Sequence, residues 1–304
     1  VLLRGGTAGT LKNFIVLGFG ESGVDLFFII SGFVVTYSVL NSDVGWKEFL
    51  VKRIIRIVPL YWLFTILFST ILFLLPSVFH TYLFDFEHIL FSSLFIPMAK
   101  YPVVYVGWTL NYEMYFYAIF ALFLFVSRSM APLALGMFLL ASGLVGMMFI
   151  RSSSPIVELV TSDLLVEFSL GILLCHFYRS TIQFSLSQSI VFISLGVMFF
   201  VWPASQLRLL SFGLPWALIF IGVVFSSEKF LERNSLVFLG GASYSIYLSH
   251  VFTIPFFHFL LVYLDVDFAM NVIPLLVMYV ALSVLVGVIC FLVVERPLFI
   301  HLKK

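Results

Sequence analysis

Charge is what this sequence has least of. Asp, Glu, Lys and Arg make up 10% of its 304 residues, against 62% hydrophobic; a soluble domain carries about 25% charged and about 45–50% apolar residues. A water-soluble fold of this length has too little interior to hide that much apolar surface, so lipid must cover the rest. Acidic and basic residues nearly cancel, 15 against 16, for a formal net charge of +1. That balance lacks the basic field a nucleic-acid partner would require. Cysteine is scarce too: Cys175 and Cys290 both lie inside apolar stretches, too few for a disulfide framework. No His, Cys, Asp or Glu cluster stands at ligand spacing, so no metal is expected. Low-complexity tracts, long linkers and clear internal repeats are missing as well. Their lack leaves no place for a soluble domain and weakens a reading as a repeat-built transporter.

What is abundant is apolar helix, rich in aromatics, with 38 Phe among an 18% aromatic content. A spanning helix needs about 20 apolar residues at about 1.5 Å rise each. Nine segments meet that measure, roughly 22–40, 57–75, 104–127, 131–150, 161–178, 188–204, 208–226, 238–262 and 272–294. A tenth stretch, 86–99, is shorter and contains Pro97. Cytoplasmic loops collect Lys and Arg, and this arbitrates. If 86–99 does not cross, one side holds Lys47, Lys52, Arg53, Arg56, Arg128, Arg179, Lys229, Arg233, Arg296, Lys303 and Lys304, and the other only Arg4, Lys12, Lys100, Arg151 and Arg208. If it crosses, the bias largely disappears. The expected fold is therefore all-α: a polytopic transmembrane helix bundle with about nine crossings and a short re-entrant or interfacial helix at 86–99. It forms a single membrane-embedded domain over 1–304, with short loops joining antiparallel neighbours. The C-terminus is expected in the cytoplasm and residue 1 outside. The chain opens VLLRGG, without Met or a cleavable signal; a preceding helix, and ten crossings in the intact protein, are expected.

Against that background every intramembrane polar group asks for a reason, since a charge at the bilayer centre costs about 2.5–3.5 kcal/mol on insertion scales. Asp25 lies near the start of its helix in GVDLFF, followed by Ser31; a helix-start carboxylate favoured by the dipole and a functional group fit it equally. Arg53 and Arg56, with Lys52 beside them, share a helix face at the cytosolic end of 57–75. Two guanidiniums there suit phosphate oxygens, although basic residues snorkelling to lipid headgroups would look the same. Trp108, Tyr112 and Tyr115 alone could form an interfacial belt, but Glu113 among them needs a partner or a cavity. Glu167 lies deeper, flanked by apolar residues. His250, in ASYSIYLSH with Tyr244, reads either as a satisfied packing residue or as a site group. Glu295-Arg296-Pro297 reads most simply as a helix terminator.

Taken together and in order, six strings resemble the membrane-bound acyltransferase 3 family, in its exopolysaccharide O-acetyltransferase branch. They are GVDLFFIISGF at 23–33, KRIIRIVPLYW at 52–62, VGWTLNYEMYFY at 106–117, LLVEFSLGILL at 164–174, GGASYSIYLSH at 240–250 and VERPL at 294–298. The resemblance implies a bacterial inner-membrane enzyme that takes an acyl group, usually acetyl, from cytosolic acyl-CoA. It passes the group across the bilayer to a hydroxyl of a glycan or lipid-linked sugar. Acetyl-CoA is then a co-substrate, and no permanently bound cofactor is implied. Arg53 and Arg56 match the family's Arg-x-x-Arg motif, assigned to the CoA phosphates. The family's catalytic His, eleven residues after an Arg on the first helix, has no counterpart here before His80 and is expected upstream of residue 1. Asp25 and Glu113 are then the expected catalytic carboxylates, one of them holding the imidazole's tautomer as in a triad. Ser31, Trp108, Tyr112, Tyr115, Glu167, Tyr244 and His250 are the expected acceptor or pocket residues. A polytopic transporter or flippase, with Asp25, Glu113 and Glu167 in its path, is the alternative.

Overall fold

The computed structural model describes residues 17–74, 85–150, 154–180, 182–201, 207–227, 234–264 and 272–302. Arg4, Lys12, Arg151, Lys229, Arg233, Lys303 and Lys304, counted in the charge bias, lie outside them. Apart from one isolated bridge between Phe184 and Ser226, the regular structure of the described residues is helical. Lipid offers the backbone no partners, and a helix satisfies its own N–H and C=O groups. In chain order the helices are α1 (Leu17–Leu40), α2 (Trp46–Leu74), α3 (Phe86–Ser93), α4 (Gly107–Val126), α5 (Ala131–Phe149), α6 (Pro155–Thr161), α7 (Leu164–Tyr178), α8 (Leu186–Val201), α9 (Leu214–Val224), α10 (Asn234–Tyr263), α11 (Val272–Cys290) and α12 (Arg296–Leu302). π-helical turns at Leu209–Gly213 and Phe291–Glu295 lead into α9 and α12. Six helices or helix runs are long and apolar enough to cross a membrane by length and composition, and two shorter apolar ones lie at Leu186–Phe200 and Leu209–Val224. Each of the nine expected segments is met by helix. The differences are local: α2 starts eleven residues earlier than expected, at Trp46, and 161–178 is broken by a turn at Ser162 and Asp163.

Two compact units divide the chain, one of residues Val1–Leu50 and Tyr112–Leu231, the other of Val51–Asn111 and Glu232–Lys304. The first is organised around α7, most of whose residues are buried. Gly171 and Gly32 let α7 and α1 touch backbone to backbone. A Cβ on Gly171 would stand 2.1 Å from the carbonyl oxygen of Ile29, and one on Gly32 would stand 2.3 Å from that of Phe168. Small residues at helix contacts are how membrane helices reach such proximity. Phe28, Phe116 and Phe168, all fully buried, fill the space beside that contact, with ring centroids 4.6 Å apart for Phe28–Phe168 and 4.5 Å for Phe116–Phe168.

The register of these contacts also settles a topological question. Phe28 meets Phe168, and Phe33 and Tyr37 both meet Tyr178, so residue numbers rise together and α1 and α7 run parallel. Two parallel spans are separated by an odd number of crossings. With α2, α4 and α5, each long and apolar enough to cross, between them, the parallel run fits an α3 that does not cross. The turn regions agree: Arg128, after α4, pairs with Asp43, between α1 and α2, at 2.8 Å and donates to the Ser42 carbonyl. Those two loops share a membrane side only if α3 does not cross. An eight-residue helix is about 12 Å long, well short of a hydrocarbon core of about 30 Å.

Within the second unit, α3 is a folded-back segment. Asp85 caps it, accepting from the N–H groups of Glu87 (3.1 Å) and His88 (3.4 Å). It ends at Phe95, whose φ of 57° occupies the left-handed position usual for glycine after a helix. The N–H of Ile96 closes that end on Phe91 C=O at 3.0 Å, and the Phe95 ring lies 4.9 Å from Tyr61 of α2. Trp62 Nε1–H donates to Ser93 C=O at 2.9 Å. In the same unit α10 and α11 form an antiparallel pair: Gly287 admits Ile246, His258 Nδ1 lies 3.0 Å from Tyr279 OH, and Phe238 packs on Phe291.

Candidate active site

In the first unit three ionisable side chains meet at the ends where α1, α7 and α9 begin. Asp25 (0% exposed) comes from the third turn of α1 and Glu167 (1%) from the first turn of α7. Arg208, 29% exposed, directly precedes the π-turn Leu209–Gly213. Arg208 grips Asp25 with both arms, Nε–H to Oδ1 at 3.1 Å and Nη2–H to Oδ2 at 2.7 Å. This is the bidentate fork that guanidinium presents to carboxylate. Its plane also covers Phe212, 5.7 Å from the ring centroid. The Asp25 and Glu167 side chains are themselves within hydrogen-bonding reach of each other. Gly213 makes room for this: a Cβ there would lie 3.1 Å from Glu167 Oε1. Trp216 Nε1–H donates to Ser22 Oγ at 3.1 Å, tying α9 to α1 close by.

Glu113 has partners of its own. Ser31 donates to its Oε1 at 3.4 Å, and Tyr117 O–H donates to the same oxygen. Tyr112 packs its ring 5.8 Å from Phe28 and lies near Ser162 and Asp163, and Tyr115 is half-buried on the same helix. The structure thus brings Ser31 to Glu113 and Glu167 to Asp25, two neighbouring polar groups on the α1–α4–α7 core.

The remaining expected residues belong to the second unit. Arg53 is half-buried, and Lys52 and Arg56 are exposed. Tyr244 O–H donates to Ile57 C=O at 2.8 Å, fixing α10 against the arginine-bearing turn of α2. Glu295 is buried, accepts from Ser245 O–H at 2.5 Å and lies within electrostatic range of Arg56. Elsewhere in the unit Tyr247 O–H donates to Val106 C=O at 2.9 Å and lies 2.7 Å from Thr109 Oγ1, with the His250 ring 5.7 Å from that of Tyr247. Trp108 adjoins Thr109, half-buried.

Two of the six strings therefore lie in the first unit and three in the second, with the α4 string running through both. A family model described as an acyltransferase domain, acyltransferase 3, matches residues 1–293. The chain belongs to the acyltransferase 3 family. The exopolysaccharide production protein ExoZ of Rhizobium meliloti (strain 1021) is 31% identical over 305 aligned positions, covering 92% of this chain and 89% of the relative. No solved structure matches significantly. The protein is a membrane-embedded acyltransferase, as the six strings implied.

Sequence reasoning missed Arg208, Tyr117, Ser245 and Glu295 as site residues. Arg208 was legible: it heads the apolar run LLSFGLPW, and a lone cation there invites the same question as Asp25. Glu295 reads as a helix terminator in the sequence, because only the π-turn it closes brings it to Ser245.

Proposed function

We propose that this acyltransferase takes an acyl group, acetyl in the simplest case, from cytosolic acyl-CoA and transfers it to a hydroxyl of an exopolysaccharide or lipid-linked sugar. The observation that carries this reading is the family match over 1–293 together with 31% identity to an exopolysaccharide production protein along 92% of the chain.

On this reading Arg53 and Arg56, with Lys52, hold the CoA phosphates. Guanidinium forks match phosphate oxygens two at a time, and the Tyr244–Ile57 bond gives their turn of α2 a fixed support. The Lys and Arg bias supports a cytoplasmic face for these residues and for the C-terminus. On this reading Asp25, Glu113 and Glu167 serve the acceptor end of the reaction. The family implies an imidazole at this centre. Asp25 or Glu113 orients it, so that it removes the acceptor's proton or briefly carries the acyl group. Within the first unit Tyr112, Tyr115 and Ser31 offer aromatic and hydroxyl surface to a sugar.

The test is Arg53→Ala with Arg56→Ala in the full chain, assayed in proteoliposomes with acetyl-labelled acetyl-CoA and a glycan acceptor. The expected result is label on the glycan with the wild type, and an acyl-CoA KM raised by about 10²- to 10⁴-fold in the double variant, in keeping with two charge-assisted contacts at about 1.5–3 kcal/mol each. Undiminished acyl-CoA binding by the variant would remove the docking role. Movement of unmodified glycan, with no label transferred, would favour a flippase instead.

A further inference from the structure

Two carboxylates and one guanidinium share the α1–α7–α9 cluster, and the electrostatics of that count are restrictive. Asp25 and Glu167 are both closed to solvent. Two ionised carboxylates in hydrogen-bonding reach of each other repel, and one cation cannot offset both in a medium that solvates charge poorly. A hydrogen bond between two carboxyl groups also needs a proton on one of them. The hydrogen bonds decide which. Both oxygens of Asp25 are occupied by Arg208 donors, at 3.1 and 2.7 Å, which is the environment of an anion. Glu167 has no such grip, and its Oε2 is buried without a hydrogen-bond partner among the described residues. An orphaned oxygen costs far less on a neutral acid than on a carboxylate. Among the described residues the other charged or titratable groups nearby are Asp163 at the head of α7, Glu158 of α6 and Tyr112 of α4, and none of these supplies a second cation.

We propose that Arg208 is a positioning residue of the acyl-transfer centre, holding Asp25 as a fixed anion and thereby leaving Glu167 as a protonated acid hydrogen-bonded to it. The cluster then has no net charge, the condition under which it persists among apolar helices. Asp25 retains acceptor capacity for an imidazole N–H, because a carboxylate offers about four lone-pair sites and three are used. The π-turn is the element that makes this possible. It carries Arg208 over the start of α1, and its last residue, Gly213, leaves the space that Glu167 occupies. π-turns of this kind recur at functional sites. This inference rests on the function proposed above only for its kinetic arm.

Two measurements on the purified full chain test it. The first is infrared absorption in the carbonyl-stretch region of protonated carboxyl groups, compared in H2O and D2O at neutral pH. The wild type is expected to show a deuterium-sensitive band that disappears in Glu167→Gln; a band unchanged by that substitution overturns the assignment. The second is acyl transfer from labelled acetyl-CoA. Arg208→Gln is expected to lower kcat by about 10²-fold, as for a reacting group displaced by about 1 Å, with the KM for acyl-CoA unchanged. Arg208→Lys, which keeps the charge and loses the fork, is expected to recover to within about tenfold of wild type. A wild-type kcat in Arg208→Gln, or a Lys variant no better than Gln, overturns the positioning role. Arg128→Gln, which removes an exposed arginine on the other membrane side, is the control. If Arg208→Gln does not fold, the Lys variant and the infrared arm decide. A wild-type chain that transfers no label while showing the Glu167 band would count against the proposed function and leave the protonation assignment standing.

Discussion

Glu113 is the seventh residue of α4, well inside an apolar helix, and it receives two hydroxyl donors, from Ser31 of α1 and from Tyr117 one turn further along its own helix. A buried carboxylate that accepts from neutral hydroxyls is suited to an acid, base or orienting role. Glu113→Gln is therefore expected to lower acyl-transfer kcat by about 10²-fold or more, the usual contribution of a positioned acid or base, with the acyl-CoA KM little changed. Tyr117→Phe removes one donor and is expected to cost about tenfold, the equivalent of roughly 1.4 kcal/mol for one hydrogen bond to a charged group. Initial rates at saturating and limiting acyl-CoA separate the two parameters. A Glu113→Gln enzyme with unchanged kcat would place the chemistry elsewhere. Much of this site was legible residue by residue, because charge inside an apolar helix is conspicuous in a one-dimensional string. Partnership was not. Ser31 and Glu113 are 82 positions apart, and Asp25 and Arg208 are 183 apart. The sequence alone offers Asp25 and Glu113 as joint candidates for orienting an imidazole, and the fold gives each its own partners.

At the scale of elements, helix existence followed from hydropathy, and helix ends did not. Apolar length places a span within a few residues, but α2 begins at Trp46 because the Trp46–Lys47–Glu48 head is amphipathic helix beyond the apolar window, which hydropathy alone does not register. The split of 161–178 at Ser162 and Asp163 and the two π-turns depend on side-chain packing that has no periodic signature. Packing does explain the glycines. Gly171 and Gly32 mark the closest helix contact in the first unit, whereas a Cβ on Gly23, on the same helix as Gly32, would meet nothing within 4 Å. The two kinds of glycine should respond oppositely to alanine. Gly171→Ala forces α7 away from α1 and is expected to destabilise by about 1–3 kcal/mol, as overpacking does, with loss of activity through the Asp25–Glu167 contact. Gly23→Ala is expected to be neutral or to stabilise by up to about 1 kcal/mol, through helix propensity alone. Thermal unfolding in detergent, followed by size-exclusion chromatography after heating, checks both. Equal melting temperatures for the two variants would refute the reading of α1 against α7.

For the whole molecule the question is how many times the chain crosses, because every assignment of side depends on the parity of α3. Three observations point the same way: α1 runs parallel to α7, the α1–α2 and α4–α5 turns are joined by Arg128 and Asp43, and the segment from Asp85 to Val106 folds back on itself through bonds such as Trp62 to Ser93 and Val103 N–H to Ser92 Oγ at 3.0 Å. The Lys and Arg bias reached the same parity from composition alone, since the cost of moving cations through the membrane during insertion acts on loops independently of how the helices later pack. Single cysteines at Ser42, Lys100 and Ser129 make this measurable. The native thiols are no obstacle to an impermeant maleimide, because Cys175 is buried and Cys290 is half-buried within helix. With α3 returning to the side it came from, Ser42→Cys and Ser129→Cys share one face and Lys100→Cys lies on the other. In intact cells only Lys100→Cys is then expected to react, and in inverted vesicles only the other two. Were α3 a crossing, Lys100→Cys would label together with Ser42→Cys and opposite to Ser129→Cys. That pattern would turn α4, α5 and α7 over relative to α1, and so contradict the parallel α1–α7 contact on which the Asp25–Glu167–Arg208 cluster is built.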